Sequence, residues 1–356
     1  MSITPLKNGV LSFVTTDGCT ARCSHCLMNC TPNKKNKLKF EQMQRCIDQA
    51  KRNYSINVVV FTGGEPTLLG EDLFRTIQYC TLNFIKTRLV TNAHWATSLE
   101  RAQRYIERFR NVGLSEINFS IDDYHEPFVS LEKIHNAWQA CKGVGFDSVV
   151  LANSHGENDK ITPSFIQDFF KEKIPISTLE DRNSGITNEV TSKDGTLYQI
   201  YENTLQKSGR AENLDERKFT SYEDQDALQC GCQWAVSDAV LSPLGHIWAC
   251  CGIPSDNNPV LDLGDANKEK IKPILNRACK DVLINAIRYL GPLKLCRFVE
   301  EHSNIKFSNN FCGVCEICSA LTNNKKAVKI LRDNEKAIAV MIRTKQNLDK
   351  MANILK

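Results

Sequence analysis

Between residue 11 and about residue 180, short β-rich apolar runs alternate with longer stretches whose apolar positions recur at helical spacing. The strand pattern falls at 11–16, 56–61, 88–91, 116–121, 148–151 and 174–178. Helical patterns lie between these runs, near 38–51, 72–82, 97–111, 129–143 and 162–171. After 180 the rhythm stops. Glu180-Asp181-Arg182-Asn183-Ser184-Gly185 is turn chemistry, and the polar stretch to 228 reads as an exit and linker.

Repeated strand–helix units with parallel crossovers build an α/β sheet clothed by helices. Six units predict a partial (β/α)6 TIM-like barrel rather than a closed eight-unit one. In such a barrel the site forms where the strands end. The polar groups here collect at those ends. A cysteine-rich loop follows the first strand, and Gly63-Gly64-Glu65-Pro66 follows the second. Asn92 ends the third, Ser120 and Asp122 the fourth, and Asn153 the fifth. The chain divides into a core over 1–220, a cysteine-rich region over 221–320 and a basic helical tail over 321–356.

Composition refines this picture at two points. At 356 residues, with 42% hydrophobic and 24% charged positions, the chain has ordinary globular values. It carries no apolar run of membrane-spanning length and no signal-peptide pattern, so a soluble cytoplasmic protein is expected. The net charge of +4 is uneven: residues 321–356 hold nine Lys/Arg against three Asp/Glu. Such a tail is a solvated helical face or a contact for an acidic partner or nucleic acid.

The second point is the count of 16 cysteines. In a reducing compartment such a number argues for metal ligation or redox chemistry rather than a disulfide framework. Cys46, Cys80, Cys141, Cys279 and Cys296 stand alone and read as small buried hydrophobes. The rest form two groups: Cys19, Cys23, Cys26 and Cys30 near the start, then Cys230, Cys232, Cys250, Cys251, Cys312, Cys315 and Cys318.

Cys19-x₃-Cys23-x₂-Cys26 places three thiols on one short loop. A structural zinc site takes four Cys/His ligands, which His25 or Cys30 would complete. A cubane iron–sulfur cluster accepts three thiolates and leaves one iron open. In Gly63-Gly64-Glu65-Pro66 the glycines let a ligand approach bare backbone, the proline fixes a turn, and the carboxylate can pair with an ammonium group.

Taken together, the CxxxCxxC loop and GGEP at successive strand ends closely resemble the radical S-adenosyl-L-methionine (SAM) superfamily over roughly residues 8–220. The resemblance implies a [4Fe–4S] cluster on Cys19, Cys23 and Cys26, with SAM on the open iron and Gly63, Gly64, Glu65 and Pro66 holding its ammonium group. It implies SAM contacts from Asn92, Ser120, Asp122 and Asn153, and a position beside the adenine for His25. Gly209-Arg210-Ala211 resembles a stretch near the barrel's end in some members, which adds Arg210. The reaction implied is reductive cleavage of SAM, after which the resulting radical abstracts hydrogen from a substrate.

In the second group, Cys232-x₁₂-Gly245-x₄-Cys250 suggests a hairpin that brings two thiols together, and Cys312-x₂-Cys315-x₂-Cys318 follows. By spacing alone this is a zinc ribbon as readily as a cluster. Beside a radical SAM core it resembles a SPASM/twitch extension, and implies one auxiliary [4Fe–4S] cluster on Cys232, Cys250, Cys312 and Cys315, with Cys318 as the rival ligand. Cys230 and Cys251 are neighbouring thiols.

Members of this kind act on peptides or small molecules in peptide modification or in secondary and cofactor metabolism. They need a reductant such as flavodoxin or ferredoxin. Only about 18 residues precede Cys19, too few for a folded leader-peptide-binding domain at that end, so a peptide substrate implies a separate recognition partner or direct contacts with barrel and tail. The loop from Asp122 to Glu126, with His125 in it, lies where acid–base groups would meet a substrate. The competing reading is a zinc-stabilised binding protein with a nucleic-acid- or partner-binding basic tail.

Overall fold

In the computed structural model, residues 3–178, 192–220 and 228–354 are described. The turn-rich stretch 180–185 lies outside them. Five strands and their helices follow the expected rhythm: β1 (Val10–Val14), α1 (Phe40–Asn53), β2 (Val58–Thr62), α2 (Glu71–Leu82), β3 (Lys86–Thr91), α3 (Leu99–Asn111), β4 (Glu116–Ser120), α4 (Leu131–Ala140), β5 (Ser148–His155) and α5 (Pro163–Phe170).

The helices form for local reasons. Met43, Cys46, Ile47 and Ala50 give α1 one buried stripe at helical spacing. The Ser98 side chain accepts from the Arg101 N–H at the start of α3, and Thr162 accepts from Phe165 N–H before Pro163 opens α5. The solitary Cys46, Cys80, Cys141 and Cys296 are buried among apolar neighbours, and Cys279 is half-buried. Packing explains them.

The sixth parallel strand of the barrel is not the run expected at 174–178. That run supplies only β6 (Ile176–Ser177), which sits at the outer edge. The full strand is β7 (Leu197–Thr204), which pairs with β5 along its whole length, from Ser148↔Leu197 to His155↔Thr204. Its sequence alternates moderately and carries Tyr, Gln, Glu and Asn, so it reads as linker when only apolar runs are scored.

The sheet then extends past β1. Strand β8 (Val240–Leu241) pairs parallel with Ser12 and Phe13, and β9 (His246–Trp248) and β10 (Asp262–Asp265) follow antiparallel. The order is β10-β9-β8-β1-β2-β3-β4-β5-β7-β6. Gly245, with φ of +85°, closes the β8–β9 hairpin, and a Cβ there would stand 2.1 Å from Asn267 Nδ2. The cysteine-rich region continues the partial barrel's own sheet.

Six helices complete the chain: α6 (Ile271–Lys280), α7 (Val282–Tyr289), α8 (Pro292–Glu301), α9 (Val314–Thr322), α10 (Lys325–Asp333) and α11 (Glu335–Ile354). One continuous apolar core runs from β1 through these helices. The tail packs chiefly against α7 through α11. Among the described residues no helix is long and apolar enough to cross a membrane.

Candidate active site at the strand ends

The loop after β1 is held by backbone before any side chain acts. The Gly64 N–H donates to Thr16 O at 2.7 Å, and the Glu65 N–H to Gly18 O at 3.0 Å. A Cβ on Gly64 would lie 1.8 Å from Gly18 O, so no other residue fits between the two loops. GGEP is therefore first a brace for the cysteine loop.

Glu65 is fully buried, and no cation pairs with it among the described residues. Its carboxylate accepts from Thr67 N–H (3.1 Å), Thr67 Oγ1 (2.7 Å), Thr91 Oγ1 (2.8 Å) and Asn92 N–H (2.9 Å). Four donors compensate the buried charge. Pro66 begins the short 3₁₀ turn that supplies two of them.

The three loop thiols lie in one cluster, and Cys19 carries two donors. Asn92 Nδ2 donates to Cys19 Sγ at 3.7 Å and to Thr20 Oγ1 at 3.0 Å, while the Ala21 N–H also reaches Cys19 Sγ at 3.4 Å. Burial pushes the Cys19 thiol up to about 12. His125 lies close enough for the Cys23 sulfur to favour its charged form. The Cys30 thiol donates to Met28 O at 3.7 Å; its proximity, with help from the Arg210 guanidinium, lowers Cys26 to about 5, and Cys30 itself stays protonated.

Asp122 is almost fully buried, and both of its oxygens are occupied. They accept from the Tyr124 and His125 N–H groups at 3.0 and 2.9 Å and face His125 Nδ1 at 2.9 Å. His25 Nε2 approaches at 3.4 Å. Burial would raise the Asp122 carboxyl, but His125 and His25 hold it well below the usual carboxylate range, and Asp122 in turn raises His125. The oxygens of Asp122 thus hold two imidazoles in the structure. His25 stacks on Tyr124 with ring centroids 4.6 Å apart.

Ser120 ends β4 half-buried. Asn153 has no exposed surface and donates its amide to Ile121 O (2.7 Å) and Ile161 O (2.8 Å). Arg210 donates Nε to Cys23 O at 2.9 Å and its N–H to Cys26 O at 3.1 Å, while Gly209 presses on Leu27 O. The Gly-Arg-Ala stretch thus clamps the cysteine loop. Leu205, Ala211, Phe219 and Tyr124 pack with Cys23 in an apolar layer. Of these, Leu205 and Phe219 carried no sequence signal, being ordinary apolar residues whose role comes from position.

The second thiol group forms after β9 and at the start of α9. Cys250 feels Cys232, Cys251 and Cys315, while Cys318 feels Cys250, Cys232 and Cys315. Burial raises all of them, Cys315 to about 12 and Cys251 to about 11. A Cβ on Gly252 would sit 3.0 Å from Cys315 Sγ and 3.8 Å from Cys250 Sγ, so both thiols flank that glycine.

Cys312, expected among the ligands, lies apart from the other thiols of its group. Its thiol donates to Glu316 Oε2 at 3.0 Å, and its side chain packs in the apolar layer with Cys23 and Tyr124. The cysteine that faces the group is Cys318. The cause is helical: Cys315 and Cys318 are three apart on α9 and share a face, whereas Cys312 precedes the helix.

The thiols stand farther apart than the corners of a zinc tetrahedron. Four sulfurs about 2.3 Å from one zinc ion stand about 3.8 Å apart. Among the described residues, no three cysteine sulfurs come within 4.8 Å of one another. His25, the other candidate zinc ligand, is committed to Asp122 and Tyr124. The mouth also fits a polar organic ligand: Asn153 Oδ1, His25 Nδ1 and Arg210 Nη2 are buried atoms without a partner.

Comparison with known proteins agrees with this geometry. Residues 13–168 match the model of the Radical SAM superfamily. YydG of Bacillus subtilis (strain 168), which carries the name of a peptide biosynthesis protein, is 23% identical over 326 residues, covering 91% of this chain and 95% of YydG. The antilisterial bacteriocin subtilosin biosynthesis protein AlbA, from the same strain, is 21% identical and covers 88% of this chain and 68% of AlbA. Among solved structures, AdoMet-bound anSMEcpe superposes with a TM-score of 0.46 at 14% identity, over 94% of this chain and 99% of that one. Residues 13–168 thus form a Radical SAM domain followed by a cysteine-rich C-terminal extension, and the cysteines of the two regions fit a [4Fe–4S] cluster with SAM and an auxiliary cluster.

Proposed function

We propose that Cys19, Cys23 and Cys26 hold the SAM-binding cluster and that the enzyme modifies a peptide by hydrogen abstraction. The observation that carries this reading is the three-thiol loop at the parallel strand ends, braced by Gly64 and Glu65, with Asn92 donating to the Cys19 sulfur. A peptide substrate is supported by relatives named for peptide and bacteriocin biosynthesis that align along nearly the whole chain.

When bound, the cluster and SAM supply a one-electron cleavage that yields a hydrogen-abstracting carbon radical. The protein's part is position and exclusion. Glu65 fixes the GGEP backbone and the end of β3 through its four hydrogen bonds, so Gly63, Gly64 and Pro66 offer a set cradle to the amino-acid end of SAM. Asn153 Oδ1 accepts from the ligand, His25 offers a ring held by Tyr124, and Ser120 and Arg210 complete the rim. Asp122 fixes His25 and His125, and Asn92 supports Cys19. Leu205, Ala211 and Phe219 keep water from Cys23.

The auxiliary cluster is assigned to Cys232, Cys250, Cys315 and Cys318. Four protein thiolates saturate a cubane, a state suited to electron transfer. The divisions at 220 and 320 mark its boundaries along the chain. A reductant protein supplies the first electron.

Anaerobic reconstitution with a panel of candidate precursor peptides tests this reading. Expected are peptide-dependent consumption of SAM and a mass change in the peptide. Release of 5′-deoxyadenosine that no peptide accelerates, alongside turnover of a small molecule, would overturn the peptide assignment.

A further inference from the structure

The segment that follows the cysteine loop carries Lys34, Lys35, Lys37 and Lys39 within six residues, and all four are exposed. Among the described residues none of them forms an ion pair with a carboxylate. Lys35 Nζ reaches only the Pro32 carbonyl, at 3.4 Å. The nearest acid in sequence, Asp17, instead accepts from Asn36 Nδ2 at 2.7 Å, while Glu41 lies toward Arg75. The loop presents positive charge that the fold does not neutralise.

This loop is laced to the site. Cys19 N–H donates to Thr31 O (3.1 Å), Thr31 N–H to Asp17 O (3.2 Å), Asp17 N–H to Asn36 O (3.2 Å) and Leu38 N–H to Thr15 O (2.8 Å). Leu38, fully buried between the lysines, pins the loop to the core. A Cβ on Gly18, the residue before Cys19, would stand 2.9 Å from Lys34 O, and the Lys34 charge is felt at Cys30. Arg22, on the cysteine loop itself, is exposed as well. A basic face tied to the core thus lies beside the cysteine loop that an electron must reach.

We infer that the 34–39 lysine loop is the docking surface for an acidic one-electron carrier protein that reduces the cluster. The inference rests on the assignment of Cys19, Cys23 and Cys26 to that cluster. Uncompensated charge at a fixed place raises association rates and orients an oppositely charged partner, more than it adds affinity. In the step itself, one electron leaves the reduced carrier, which ends oxidised by one electron. The cluster ends reduced by one, and no bond or proton is transferred. A second basic stretch, at 325–332, packs on α8 and α11 through α10.

The test uses the reconstituted full chain and reduced flavodoxin, an acidic flavin carrier, with dithionite as a small chemical reductant. Cluster bleaching is followed by stopped-flow absorbance. Changing Lys34, Lys35, Lys37 and Lys39 together to Glu should slow reduction by flavodoxin about tenfold or more, and the wild-type rate should fall as salt rises. Reduction by dithionite should stay unchanged, which shows that the fold and cluster survive. Lys325→Glu/Lys326→Glu/Lys329→Glu, as a control, should leave both rates alone.

Equal flavodoxin rates in wild type and the loop variant would overturn the inference, as would a larger effect from the control. A raised KM for a peptide in dithionite-driven turnover, with the flavodoxin rate intact, would assign the loop to substrate instead. If the Cys23→Ala variant bleaches with dithionite to the same extent as the wild type, the cluster assignment itself falls, a result distinct from failure of the docking surface alone.

Discussion

The thiol of Cys312 donates to Glu316 Oε2 at 3.0 Å, and the same carboxylate oxygen takes the Cys312 N–H at 2.8 Å. That double contact turns Cys312 toward the radical SAM loop and leaves Cys315 and Cys318 to face Cys232 and Cys250. Cys318→Ser should therefore cost the auxiliary cluster, and iron per chain should fall by about half, since two four-iron clusters become one. Cys312→Ser should keep its iron. Iron and sulfide quantitation after anaerobic reconstitution decides between them; the opposite pattern restores Cys312 as the ligand.

Asn92 Nδ2 reaches Cys19 Sγ, and a hydrogen bond to a cluster sulfur favours the more negative, reduced state. Asn92→Ala should move the reduction potential of the SAM cluster to more negative values without loss of iron. A potentiometric titration followed by EPR reads this directly. An unchanged potential would reduce Asn92 to a structural link between Glu65 and Thr20.

Gly64→Ala should be far more damaging than its size suggests. The new methyl would stand 1.8 Å from Gly18 O, a backbone atom tied to Glu65 N–H. Relief of such a contact costs about 1–3 kcal/mol of stability by analogy with overpacked cores. The displaced segment is the cysteine loop itself. The variant should lose the first cluster while retaining the auxiliary one, visible as a partial loss of charge-transfer absorbance.

Asn153→Leu removes the donors to Ile121 O and Ile161 O and the free Oδ1 together. Each buried carbonyl left unpaired costs about 1–3 kcal/mol, so a lower denaturation midpoint is expected. SAM affinity, measured by calorimetry on the folded fraction, should also fall. Full SAM affinity in a destabilised variant would confine Asn153 to holding β4 and β5 together.

Much of this site was legible in the sequence because its chemistry sits in short contiguous motifs. Cys19 to Cys26 and Gly63 to Pro66 carry their spacing on one loop each, and strand alternation places both at the same barrel end. What escaped was set by contacts between distant segments. Strand β7 holds Glu202 and Asn203 at polar positions, so only its pairing with β5 makes it a strand. The choice of Cys318 over Cys312 depends on where α9 begins. The role of Asp122 depends on two histidines, of which His25 lies ninety-seven positions earlier in the chain.

The most direct test measures 5′-deoxyadenosine released from SAM by the reduced, reconstituted chain and by its Cys23→Ala variant. Wild type should release it, and Cys23→Ala should release none while still holding the auxiliary cluster's iron. Undiminished release by Cys23→Ala, or stoichiometric zinc with no release by the wild type, would contradict the assignment of Cys19, Cys23 and Cys26 to the SAM-binding cluster.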